Sequence, residues 1–208
     1  VLGLALALGL REPLRRGPLG YAIYLPLALP WTVAGFLAFQ ILSPAGLLSR
    51  LAFRAGMTAG IAGLPALTND RFAIGIIATH TFLAAPFLAL LFVQLAESER
   101  IDAYAALARS LGASGRQTLG RVVLPILLSA AATNVLLLFV VVLGSYEIPL
   151  LLGRQSPQML SVLTLRKFRL FDLAEKPEAF VVSFLYTLVA SAVIAFALGP
   201  RRQRPQAV

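Results

Sequence analysis

An all-α, polytopic bundle of membrane helices is the fold class this chain predicts, and two observations carry the prediction. Of the 208 residues, 59% are hydrophobic and 13% are charged. A soluble domain sits near half apolar and a quarter charged, and a fold of this size could not hide the surplus from water. The apolar residues are also gathered into runs of about 20, the length that crosses a ~30 Å hydrocarbon core. Four full spans are expected, roughly over 18–42, 72–95, 122–144 and 179–199, with 1–208 forming a single transmembrane domain.

The chain opens on Val1–Leu10, which is apolar but too short to span and is followed by Arg11. A signal peptide carries its basic residues before its apolar stretch, not after it. Val1–Leu10 therefore reads as a truncated N-terminal helix whose beginning is missing, or as a chain begun at an alternative start codon. Pro26 and Pro30 interrupt the first span and Pro86 the second. A bilayer tolerates such kinks when neighbouring helices satisfy the freed carbonyls. Between spans lie the polar stretches 11–17, 43–71, 96–121 and 145–178. The second holds a short amphipathic piece, Leu47–Phe53, that suits an interfacial anchor or an interfacial gating helix. The fourth is the longest connection. Its basic cluster Arg166, Lys167 and Arg169 reads as solvated loop charge, or as a surface for an acidic patch of a partner protein. Arg201, Arg202 and Arg204 close the chain.

Charge and composition exclude several classes of function. The formal net charge is +9, but the basic residues lie in the segments between apolar runs. That placement neutralises lipid headgroups and argues against nucleic acid. Alternating the segments puts ten Lys/Arg on the side of 11–17, 96–121 and the tail, against eight on the other, so the positive-inside bias makes the first side cytoplasmic. The absence of cysteine removes disulfides, thiolate metal sites and a Cys nucleophile. A lone His80 cannot build a multi-histidine metal site. No Gly-rich phosphate loop with its Lys-Ser/Thr is present, so ATP should not bind this chain. An intramembrane enzyme would need clustered nucleophiles, carboxylates or histidines, and the spans lack them.

The most informative stretch is Glu97–Pro125. Ser98 is placed to cap a helix, with Glu99 and Asp102 near its positive end. Ile101, Tyr104, Ala108 and Leu111 would share one face, with Asp102 and Arg109 opposite. Gly112 offers a stop. Ser114 and Gln117 have the spacing of a capping box, which starts a second helix. A short helix, a glycine turn and another helix should thus sit between two spans. An amphipathic connection of this kind lying flat on the membrane is the simpler alternative.

Gly112, flanked by Leu111 and Ala113 and followed after nine residues by Val122-Val123-Leu124-Pro125, makes a pattern that resembles the EAA loop of ABC importer permeases. The family pattern is Glu-Ala-Ala, three residues, Gly, nine residues, and then Ile-x-Leu-Pro. Two positions of the triplet differ: Ala106 stands where the family has Glu, and Leu107 where it has Ala; Ala108 matches. Leu25–Pro30 looks like the Pro-rich start of a family span. Ser145–Gly153 resembles the segment found in permeases for polyamines, iron(III), thiamine and phosphonates. The family core has six spans, so the four here would be its third to sixth. The resemblance implies a permease subunit of an ATP-driven importer in the bacterial inner membrane, and not an enzyme. It implies that Tyr104, Ala106, Leu107, Ala108, Arg109, Leu111, Gly112, Ala113, Leu124 and Pro125 belong to a coupling loop for a cytoplasmic ATPase dimer. ATP and Mg would be bound by that partner, with no cofactor in this subunit. A second permease subunit, an extracytoplasmic substrate-binding protein and membrane lipid would complete the set. Cargo is expected to be a small polar solute, with polyamines first. A passive channel or scaffold is the competing class, and it leaves the Gly112-to-Pro125 spacing unexplained.

Three residues are candidates for a translocation path. Asn134 sits mid-span, and Tyr146 and Glu147 end an apolar run. A carboxylate at membrane depth is costly and faces a cavity or a partner. Glu147 would serve a cationic cargo, or would be hydrated at the outer interface or paired with Arg154. His80, Gln40, Gln94 and Asn134 each suit interhelical hydrogen bonding.

Overall fold

A computed structural model describes residues 1–9, 21–61, 63–169 and 176–198. The expected basic residues Arg11, Arg15, Arg16, Arg201, Arg202 and Arg204, and the ends of the spans expected at 18 and 199, lie outside them. Every regular element among the described residues is helical. In chain order they are α1 (Leu2–Gly9), α2 (Tyr24–Leu27), α3 (Trp31–Leu42), α4 (Leu47–Arg54) and α5 (Ile74–Ser98). Then follow α6 (Ile101–Ser110), α7 (Gly115–Thr118), a π-turn (Leu119–Val123) and α8 (Leu124–Leu143). The chain continues through α9 (Glu147–Leu152), α10 (Leu160–Arg169) and α11 (Lys176–Leu198).

Among the described residues, four segments are long and apolar enough to cross a membrane: Trp31–Arg54, Ile74–Ser98, Gly115–Leu143 and Lys176–Phe196. The first is not one straight rod. Pro30 stands extended before α3, and Ser43 and Gly46 turn the chain between α3 and α4. The span expected at 18–42 therefore breaks at Ala28–Pro30, and the continuous helix α3 has 12 residues, or about 18 Å. The prolines explain the break: each removes a donor and restricts the residue before it. Pro86 is instead absorbed inside α5, where it is buried.

α5 is the spine of the molecule. Its start is fixed by Asp70, whose carboxylate accepts the N–H groups of Phe72 and Ile74 at 3.0 and 2.9 Å. Half of its apolar window is buried within the protein, against 11% for the window of Gly115–Leu143 and 6% for that of Lys176–Phe196. The difference shows what each helix packs on within this chain: α5 is surrounded by its own protein, while the other two turn most of their surface outward. Exposed Leu137, Phe139 and Val141 of α8 and Phe180, Phe184 and Leu188 of α11 suit an apolar solvent.

Two apolar cores lie at opposite ends of α5. One joins Ala7 of α1, Phe92, Val93 and Ala96 of α5, Ile101 of α6, Val123 of the π-turn, and Leu127 and Ala131 of α8. Small residues let these backbones approach closely. A methyl added at Gly3 would lie 2.5 Å from Leu88 Cβ, so α1 sits directly on α5. The second core joins Ala34 of α3, Ile76 and Leu83 of α5, and Ile148 and Leu152 of α9. There Gly35 leaves room for Ile148 and Leu151. Asn69 N–H donates to Leu152 O at 2.8 Å, tying α9 to the approach to α5.

The long connection expected at 145–178 contains two helices, α9 and α10. α10 is fastened to α11 by the Lys167–Glu178 ion pair and by edge-to-face packing of Phe168 on Phe180, centroids 4.9 Å apart. Lys167 is thus held in place rather than solvated loop charge, because Glu178 in the first turn of α11 faces it.

Candidate functional site

Ile101–Pro125 forms a rigid elbow between α5 and α8. The chain enters it through Arg100, which adopts a left-handed conformation (φ 50°) and stands at the N-cap of α6. Ser98 is the last residue of α5 and does not cap α6. The expectation failed because α5 runs on through the polar residues Glu97 and Ser98, and the turn falls at Glu99 and Arg100. Left-handed backbone is uncommon outside glycine, and nothing in Arg100's side chain signals it.

α6 ends in a Schellman motif. Ala113 N–H donates to Ala108 O at 3.0 Å and Gly112 N–H to Arg109 O at 3.0 Å. Gly112 has φ +85°, and a Cβ built there would touch nothing within 4 Å. Glycine is needed for the backbone and not for space. The chain then restarts through the capping box. Ser114 Oγ accepts Gln117 N–H at 3.4 Å, and Gln117 Oε1 accepts Ser114 N–H at 2.9 Å. Stop and start signals two residues apart make the turn a fixed corner.

The face expected on α6 is divided between protein and solvent. Ile101 is buried in the first core, Ala105 is half-buried against it, and Ala108 is half-buried. Tyr104, Leu107 and Leu111 form a neighbouring stripe at i, i+3 and i+7, and are 51, 58 and 80% exposed. The reason is angular: the protein-facing arc centres on Ile101, Ala105 and Ala108, which turns Tyr104 and Leu111 away from it. Ala106 and Arg109 are also exposed, Ala113 is half-buried, and Arg109 Nε donates to Ala105 O. An apolar stripe on a rigid corner, outside the spans, has the form of a docking surface.

The far end of the elbow is a π-turn. Leu124 N–H donates to Leu119 O, five residues back. Pro125 supplies the cause. Its ring has no N–H to offer Arg121 O and would collide with that carbonyl in a regular α-helix, so the turn before it widens. Leu124 is half-buried and Pro125 exposed.

The candidate path residues gather less closely. Asn134 is half-buried midway along α8. Tyr146 and Glu147 are half-buried at the corner between α8 and α9, with Glu147 in the first turn of α9. Among the described residues no ion pair joins Glu147 to Arg154, which is exposed. Composition alone could not show that α9 folds back onto α3, nor that Ser145, next to this pair, meets His80 of α5. That contact spans 65 residues and leaves no local signal.

A bundle of apolar, membrane-length helices with an apolar-striped elbow between two of them is the architecture of a multi-pass membrane protein. The chain belongs to the family described as the binding-protein-dependent transport system inner membrane component, which matches residues 1–199. It is a permease component of the ABC importer class, a transporter subunit of the bacterial inner membrane. It is also similar to a probable ABC transporter permease protein of Sinorhizobium fredii, 39% identical over 125 residues. That alignment covers 57% of this chain and 21% of the relative, so the chain matches about a fifth of that protein's length.

Proposed function

We propose that this subunit forms part of an import pathway and is driven through the elbow 97–125 by a separate cytoplasmic ATPase dimer that binds ATP and Mg. The observation that carries the reading is the exposed stripe Tyr104, Leu107 and Leu111 on a corner fixed by Gly112 and Ser114. Exposed apolar side chains outside the spans are stabilised by burial in a partner. A second permease subunit completes the pathway, and an extracytoplasmic binding protein delivers cargo. Residues 1–208 act as one permease domain. Asn134, Tyr146 and Glu147 contribute to the path. Cargo is a small polar solute of the polyamine type, in keeping with the likeness of Ser145–Gly153 to that branch and with a half-buried carboxylate at Glu147. ATP must favour one pathway conformation over another for coupling to occur.

Topology tests the reading, and the cysteine-free chain makes the labelling clean. A cysteine at the exposed Ser114 should react only with reagent on the cytoplasmic side, and one at the exposed Ser156 only from outside. The reverse pattern would remove the elbow from the ATPase's compartment and overturn the proposal.

A further inference from the structure

His80 is the only histidine in the chain, and it is 7% exposed. Its Nδ1 lies 2.9 Å from Ile76 O, one turn back in α5, and its Nε2 lies 2.9 Å from Ser145 Oγ. The partners fix the hydrogens. A carbonyl only accepts, so Nδ1 carries the proton of a neutral ring; Nε2 then accepts, and the Ser145 hydroxyl donates. Ser145 is 5% exposed. Trp31 of α3 meets the imidazole edge-to-face at 5.6 Å. The ring also walls a cavity of about 170 Å³ shared with Leu83, Phe87, Leu138 and Val142.

The position of this bond gives it a mechanical meaning. α5 and α8 pack against each other. At one end they are joined covalently through the elbow. At the other they are joined by His80 and Ser145. From His80 to Ser98 is 18 residues along α5, or about 27 Å. At membrane depth no water stands ready to replace a lost partner, so the pair is costly to separate. Ser145 leads directly into Tyr146 and Glu147 at the α8–α9 corner.

We infer that His80 and Ser145 are positioning residues for transport: their bond clamps the ends of α5 and α8 opposite the elbow. A displacement of the elbow by the ATPase then turns the helix pair about the clamp and reaches the α8–α9 corner instead of dissipating between the two helices. The inference rests on the ATPase-docking role proposed for the elbow.

The test uses the assembled importer in phosphatidylethanolamine–phosphatidylglycerol nanodiscs. Spin labels are placed on cysteines at the exposed Leu150 of α9 and Phe184 of α11, and their separation is measured with and without ATP. The parent is expected to show an ATP-dependent change in that distance. Ser145→Ala, and independently His80→Phe, which keeps a ring against Trp31, should each abolish it at undiminished abundance. The double variant should be no worse than either single one, because both remove the same bond. A full ATP-dependent change in either single variant, or no change in the parent, overturns the clamp. Copurification of the ATPase in the same samples separates the two readings. Its absence from the parent complex sinks the docking role of the elbow, and the clamp loses its drive. Its presence alongside an unaltered distance change in the variants sinks the clamp alone.

Discussion

The two ends of the α5–α8 pair invert each other. At the elbow, apolar side chains are exposed: Leu107 at 58% and Leu111 at 80%. At the opposite end, polar side chains are buried: His80 at 7% and Ser145 at 5%. Each arrangement would be unfavourable at the other location. Leucine outside the hydrocarbon gains by docking on another protein, whereas a buried imidazole at membrane depth is tolerated only with its hydrogen bonds made. One end is therefore complete by itself, and under the proposed function the other is completed by a partner.

The largest test of that contrast is Gly112→Val. Its φ of +85° lies where a β-branched residue is strongly disfavoured, at about 1–2 kcal/mol or more. Since no atom lies within 4 Å of a Cβ built there, the damage should stay in the backbone of the corner. Membrane abundance should remain normal while ATPase association weakens and transport is lost. Normal transport at normal abundance would detach the elbow from coupling.

Leu111→Asp comes next. It leaves the fold untouched, because the side chain is solvent-facing, but it puts a charge into the docking stripe. A desolvated carboxylate without a partner should cost about 2 kcal/mol or more of binding, read as at least a tenfold weaker affinity for the ATPase. Unchanged affinity would place the docking surface elsewhere.

Ser114→Ala should act more mildly. It removes the side-chain half of the capping box and should cost about 1 kcal/mol of local helix stability. Faster hydrogen exchange at Gln117 than in the parent, with transport reduced but present, is the expected outcome; unaltered exchange would show that the corner does not depend on the cap.

The smallest effect is expected from Ala106→Glu. The position is exposed, so the family's glutamate fits without repacking and should leave transport equal or modestly raised. A loss of ATPase association would mean that the partner's groove is shaped for alanine.

What the sequence could reveal followed the range of the interactions. Gly112, Ser114 and Gln117 were legible because a Schellman stop and a capping box are written within a few neighbouring residues. The four apolar segments were legible because the bilayer sets their length. The left-handed Arg100 was not, since no local preference demands it. α9 is six residues long and too short to show a helical period. The His80–Ser145 contact was hidden for a different reason: each residue is an ordinary polar group in an apolar run, and only the antiparallel packing of α5 and α8 makes them a pair. Spacing identifies Ile101, Tyr104, Ala108 and Leu111 as neighbours on α6, while the core decides which of them turn inward: Ile101 is buried, and Tyr104 and Leu111 are exposed.

The widened turn at Leu119–Val123 has a bearing on how the chain tolerates change in length. Elsewhere in a helix, one residue more or less swings everything beyond it by about 100°. Here the ladder already reaches five residues back rather than four, so one residue is surplus to an α-helical count. The surplus residue therefore sets the azimuth at which the span leaves the elbow, and Pro125 keeps it in place by denying Arg121 O its usual donor. Deleting one residue here would return the ladder to an α-helical count and reset that azimuth without breaking the rod.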